Sequence, residues 1–296
     1  MVSTMISRFL RVRITVAYAV ILICVTTTMS AIDPAARDWV IRHASTNLHN
    51  LSHGRVATLL DSAFVVDAGA IYEWLPGLVC LLGLAELLWG SGRVVVAFAV
   101  GHVGATVLVA VWLTTAVEVA WLPPTVARAT DVGMSYGAVA VLGSLTPAIR
   151  RPWRPIWAGW WLAVAGGVVA LGDDFTNTGH AVALILGMLV ASRFRVPPRW
   201  TSTRALLLTV AAAFGYLLIA SAEPVLAAAG AGAGGASLGA FVAFCRHTHF
   251  PARRQRPAVE RHAATSPETD EPHRCNDQGP QHHGATVTRV TEDPWL

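Results

Sequence analysis

The sequence predicts an all-α protein, a polytopic bundle of membrane-spanning helices. Three observations carry this. Of 296 residues, 54% are hydrophobic and only 14% charged, against about 25% charged in soluble domains. Mean hydropathy is +0.50. Apolar runs of about 20 residues, enough to cross a hydrocarbon core, recur through most of the length. The formal net charge of +4 rests on arginine alone, because the chain contains no lysine; we read that as coding preference. Membrane spans in this number exclude a soluble nucleic-acid-binding role. The four cysteines (Cys24, Cys80, Cys245, Cys275) are too far apart for a disulfide framework or a metal-ligand set.

Residues 1–13 form a short leader carrying Arg8, Arg11 and Arg13, and residues 14–32 a first span. That run is long and lacks a small-x-small cleavage site, so a cleaved signal peptide is not expected. Arginine before the span and little basic charge after it place the N-terminus in the cytoplasm. Residues 33–70 then make a long outer loop, polar at first and apolar over 56–66. The apolar part is too short to cross and is broken by Asp61, so it is expected at the interface or re-entering the bundle. His43, His49 and His53 lie in this loop, but their irregular spacing does not suit a metal.

Residues 72–89 give the second span, with Glu86 near its inner end, where a carboxylate needs a partner. Residues 94–115 give the third, with Gly101, Gly104 and Ala105 permitting close helix approach and His102 expected as a hydrogen-bonded packing residue. After an outer loop with Trp121, Pro123 and Pro124 come a short fourth span at 133–149, a tryptophan-rich fifth at 156–171 and a sixth at 178–194. Arginines cluster after the even-numbered spans, which is the pattern of cytoplasmic turns. Residues 206–220 and 225–244 form a seventh and an eighth span joined at Glu223–Pro224. The tail, rich in Pro, Arg, Glu and His, is expected to be disordered. The expected organisation is a cytoplasmic leader at 1–13, a membrane core at 14–195, additional helices at 196–245 and a cytoplasmic tail at 246–296.

Two polar residues stand out against this background. Ser135 lies within Gly133-x-Ser135-x-Gly137 at the start of the fourth span, and His180 at the start of the sixth. A hydroxyl attacks a carbonyl only when a neighbouring group removes its proton, and an imidazole can do so. His180 is followed by Ala183, Gly187 and Ala191, and the serine helix carries Gly137, Ala140 and Ser144, so the two can pack closely. The alternative is a serine capping its helix and a histidine packing in the core. By the arginine pattern both residues fall at outer helix ends.

These residues resemble the rhomboid family of intramembrane serine proteases. Gly133-Met134-Ser135 resembles the family's nucleophile motif on its fourth helix, and Gly143 also fits that helix. Asn177-x-x-His180 with Gly187 resembles the sixth-helix motif, and Glu86-x-x-x-Gly90 the end of the second helix. The resemblance covers residues 14–195 and implies a six-helix core, with one or two extra C-terminal helices. It implies a Ser135–His180 dyad that cleaves membrane-embedded substrates by acyl transfer, with no cofactor and no metal. Partners are then transmembrane protein substrates or clients and membrane lipid, in a bacterial plasma membrane with both termini cytoplasmic.

The pattern also departs from the family's. Tyr136 stands where glycine commonly follows the serine, and Val139 where a tyrosine packs on the histidine. Tyr136 either takes over that packing or blocks the site. No histidine–asparagine pair stands where the family holds its oxyanion donors. Aligning His53-Gly54 with the family's His-Gly puts Thr58 and Ser62 there, aligning from Glu86 puts Ala70 and Trp74 there, and backbone N–H groups at the serine helix start are further donors. Gly133, Tyr136, Thr58 and Ser62 are therefore the supporting candidates. An inactive rhomboid-like protein that binds transmembrane partners is the alternative. A transporter, which needs a polar mid-membrane path, has only Glu86 and His102 to offer.

Overall fold

The computed structural model describes residues 10–67, 69–172, 174–194, 200–220 and 225–249. Among them every regular element is helical. A 3-10 turn at Leu10–Val12 leads into α1 (Arg13–Ala31). Three short helices follow: α2 (Pro34–Ala44), α3 (Leu48–Ser52) and α4 (Thr58–Asp61). Then come α5 (Ile71–Trp89), α6 (Ser91–Glu118), α7 (Ser135–Ser144), α8 (Arg154–Leu171), α9 (Phe175–Ala191), α10 (Ser202–Ala220) and α11 (Val225–His249). Six of these, α1, α5, α6, α8, α10 and α11, are long and apolar enough to cross a membrane, and α9 is a seventeen-residue apolar helix. The protein is an integral multi-pass membrane protein. The Glu223–Pro224 junction and the expected disordered tail with its histidines lie outside the described residues.

The centre of the bundle is α7. Every residue from Tyr136 to Ser144 is buried, and a helix apolar on all faces belongs in an interior. Small residues on its neighbours make this possible. A Cβ at Gly101 of α6, Gly187 of α9 or Gly215 of α10 would run into Ala140, the Ala140 carbonyl or Leu142. The reverse holds on α7, where a Cβ at Gly137 or Gly143 would strike the Phe98 ring or the Leu184 carbonyl. Without a hydrophobic force between helices in lipid, dispersion across such close contacts holds them together.

The fourth span is shorter than its apolar run of 133–149. Its helix has 10 residues, about 15 Å of rise, half of a typical hydrocarbon core. At its start, Gly133 takes φ +126°, which no helix contains. At its end, Pro147 has no N–H and disfavours helical geometry in the residue before it, so the chain turns through a 3-10 segment at Thr146–Ala148. The sixth span starts earlier than residue 178, because Asp174 caps it: its carboxylate accepts from the Thr176 N–H at 2.9 Å.

Glu86 has the partners its depth demands. Its carboxylate accepts from the Ile14 N–H (3.0 Å), the Thr15 N–H (2.9 Å) and hydroxyl (2.7 Å), and the Ser91 hydroxyl (2.6 Å). It thus fastens the start of α1 to the α5–α6 turn. This is a structural use of a buried charge, and it removes one of two groups that a transport path would have needed.

The segment α2–α4 fastens the loop before α7. The Thr46 N–H donates to the Asp131 carbonyl (2.9 Å), the Asp131 N–H to the Ser45 hydroxyl (2.8 Å) and the Gly133 N–H to the Ser62 carbonyl (2.8 Å). The approach to Ser135 is therefore set by a segment more than 70 residues earlier in the chain.

Candidate active site

Tyr136 and Gly179 are in contact, as are Gly143 and Leu184 further along, so α7 and α9 run in the same direction. Ser135, the first residue of α7, and His180, near the start of α9, accordingly lie at one end of the bundle. His180 is buried, with 5% of its surface exposed, and Ser135 is half-buried.

The side chain that meets the imidazole is Tyr136. Its ring stands edge-on to His180, with centroids 5.4 Å apart and planes at 84°. Successive helix residues are turned by about 100°, so Tyr136, Ala140 and Gly143 look toward α9, while Ser135 shares the neighbouring face with Val139 and Leu142. Neither ring nitrogen of His180 has a hydrogen-bond partner, so the Ser135 hydroxyl makes no hydrogen bond to the imidazole. Of the two roles open to Tyr136, the contact is the packing one. The signal for it in the sequence was the residue type alone, since the position is one turn earlier than the resemblance implies.

Other polar side chains lie around the imidazole. Asn177 Nδ2 is buried without a partner, and the Tyr136 hydroxyl faces the Thr176 side chain. Asn177 lies three residues before His180, which sets the two on one side of α9. Asp174 is close enough to His180, Tyr136 and Asp131 to act electrostatically on each. Buried unpaired polar groups are uncommon and costly, about 1–3 kcal/mol each. Three such atoms, on Asn177 and His180, lie together on one side of α9. Asn177 entered the sequence reading only as part of the histidine motif. Its i, i+3 spacing to His180 was the available signal for a role of its own.

Gly133 is two residues before Ser135 and turns the chain into α7. A Cβ there would meet nothing within 4 Å, yet its φ of +126° is a conformation that side chains resist. We expect Gly133→Ala to cost about 1–3 kcal/mol through backbone strain alone, measured by thermal or denaturant unfolding in detergent. The first N–H groups of α7, from Ser135 to Gly137, have no acceptor within the helix, and the Met134 cap contributes no side chain. These are donors beside the serine.

Thr58 and Ser62 do not turn their hydroxyls to Ser135. Thr58 Oγ1 donates to the Arg55 carbonyl (2.6 Å). Ser62 Oγ lies 3.1 Å from His102 Nε2 and 2.8 Å from Thr46 Oγ1, which also reaches the Thr58 carbonyl at 2.7 Å. A consistent set of protons runs from His102 Nε2–H through Ser62 and Thr46 to Thr58. His102 is thus a hydrogen-bonded packing residue, and Ser62 contributes to the site through its carbonyl, which holds Gly133. Among the described residues no three His, Cys, Asp or Glu side chains gather to hold a metal.

Asp131, in the loop before α7, has its carboxyl pushed up to about 7, by burial first and by the Asp174 carboxylate second. In the unfolded chain it ionises near 4. The folded state therefore holds the proton between about pH 4 and 7 while the unfolded state has lost it. The contribution to stability is full at the acid end and is lost as pH rises to 7. We expect Asp131→Asn to flatten this part of the stability–pH profile and to melt above the parent at pH 8, read from melting temperatures between pH 5 and 8.

A family model described as rhomboid-like protein matches residues 10–198, which takes in α1 to α9 and leaves α10 and α11 outside. No curated protein and no solved structure matches the chain.

Proposed function

The chain belongs to the rhomboid-like protein family, and from that premise we propose that it is an intramembrane serine endopeptidase with Ser135 as nucleophile and His180 as base. The observation that carries the proposal is the buried imidazole at the head of α9, braced by Tyr136 and with both nitrogens uncommitted. A half-buried serine begins the neighbouring helix α7 at the same end of the bundle. Catalytic hydrogen bonds are often long in an empty enzyme and tighten when substrate binds.

In the reaction, His180 takes the Ser135 proton as the oxygen attacks a peptide carbonyl of a membrane-embedded substrate. The tetrahedral oxyanion is received by backbone N–H groups at the start of α7, where the helix end favours negative charge. Asn177 Nδ2 is a further uncommitted donor nearby. The C–N bond then breaks, and the proton on His180 passes to the leaving amine. Water attacks the Ser135 ester with His180 again as base, releasing the acid and restoring the serine. The short α7 fits a nucleophile set below the membrane surface yet within reach of water. Both termini are cytoplasmic in this reading, the site opens to the outer side, and the membrane is a bacterial plasma membrane.

Loss of fluorophosphonate labelling in Ser135→Ala is the decisive test. Tyr136 supplies a second one. With the ring as a brace, Tyr136→Phe keeps labelling near the parent rate and Tyr136→Ala slows it about 100-fold by freeing the imidazole. One observation favours an inactive rhomboid-like protein that binds transmembrane clients, namely the missing Ser135–His180 hydrogen bond. In that case wild-type protein of normal stability is not labelled at all.

A further inference from the structure

At the end of the bundle opposite to Ser135 and His180, where Trp89 of α5 meets Phe194 just past α9, the start of α1, the α5–α6 turn and the start of α10 enclose a cavity of 520 Å³. Arg11, Arg13 and Arg204 line it, with Glu86, Gly90 and Ser91. We propose that this cavity binds the phosphate headgroup of an anionic phospholipid.

Charge comes first. Arg11 and Arg13 face one carboxylate, and Glu86 is already saturated by four donors from α1 and Ser91. Arg11 and Arg13 have no ion-pair partner among the described residues. The start of α6 has no side-chain cap, so its positive helix end adds to the arginines. The cavity thus carries excess positive charge at the headgroup level of a helical bundle, the kind of basic pocket between membrane helices that receives anionic headgroups.

Shape selects a lipid over a free anion. On α1, Val16, Val20 and Ile23 are three, seven and ten residues after Arg13 and are 38%, 51% and 44% exposed. At about 100° per residue they lie within one face beneath Arg13. An arginine at the head of an exposed apolar strip matches a phosphate joined to an acyl chain. Glu86 holds α1 in register with the cavity, so headgroup and chain sites are fixed relative to each other.

The test is native mass spectrometry of the full chain in detergent, titrated with phosphatidylglycerol or phosphatidylcholine. Phosphatidylglycerol should bind in preference. Arg11→Ala/Arg13→Ala should weaken its binding about 25-fold, a factor of about five per arginine, while Arg150→Ala/Arg151→Ala, at exposed positions outside the cavity, should leave it unchanged. If the first double variant does not fold, Arg11→Gln/Arg13→Gln replaces it with the same expected loss. Equal binding of the two lipids, or unchanged binding in the Arg11/Arg13 variant, overturns the proposal. So does inorganic phosphate alone displacing phosphatidylglycerol at millimolar concentration, which would make the cavity a site for soluble anions. None of these outcomes depends on proteolysis.

Discussion

Ser135→Ala is expected to abolish labelling by a fluorophosphonate probe, and His180→Ala to slow it by roughly 10⁴- to 10⁶-fold, because a nucleophile and base that act as a unit lose nearly the whole effect when either is removed. The measurement is in-gel fluorescence of purified protein, with melting temperatures recorded beside it. Neither substitution should greatly destabilise the fold. Ser135 is half-buried, and the two His180 nitrogens make no hydrogen bonds whose loss would be felt. Removing an unpaired buried imidazole relieves a desolvation cost, so a rise in melting temperature together with lost labelling is the expected signature of a site maintained for chemistry. Labelling that survives Ser135→Ala would remove the proposed nucleophile.

Gly187→Ala is expected to be as damaging from a greater distance. A Cβ at this position would collide with the Ala140 carbonyl and its neighbouring backbone atoms. Backbone cannot swing aside as a flexible side chain does, so α9 must move away from α7. Overpacking of this kind costs about 1–3 kcal/mol, and more where backbone is struck. The same displacement carries His180 away from α7, and a shift of about 1 Å costs on the order of 100-fold in rate. Stability and labelling should therefore fall together, measured by unfolding in detergent and by probe kinetics. Gly166→Ala is the control, since a Cβ there meets nothing within 4 Å, and it should leave both readouts at the parent level. A neutral Gly187→Ala would mean that the two helices are not in backbone contact.

Both expectations turn on α7, and α7 is where the sequence was least explicit. Its apolar run of 133–149 reads as a full span, because hydropathy reports that a segment avoids water without saying whether it meets lipid or protein. Gly133 and Pro147, which set the two ends, are visible in the sequence, but the positive φ at Gly133 and its hydrogen bond to Ser62, more than 70 residues away, are not. Thr58 and Ser62 illustrate the same limit. An alignment on His53-Gly54 selects them by position, whereas His102 and Thr46 determine where the Ser62 hydroxyl is used.

The sequence by itself determined the helical membrane class, the order of the long apolar helices to within a few residues, the need of Glu86 for partners and the prominence of Ser135 and His180, but not the three short helices of the 33–70 segment. These follow from composition, apolar run length and residue type, which act locally and survive without knowledge of neighbours. Only the tertiary structure decided that Tyr136 is the residue braced against the imidazole, that Asn177 Nδ2 is buried without a partner and that arginines from two separate segments line one cavity. The physical reason is that a side chain's direction depends on how its helix is rotated and on what stands opposite. Both are fixed here by glycine contacts between α6, α7 and α9 and by hydrogen bonds from a distant loop.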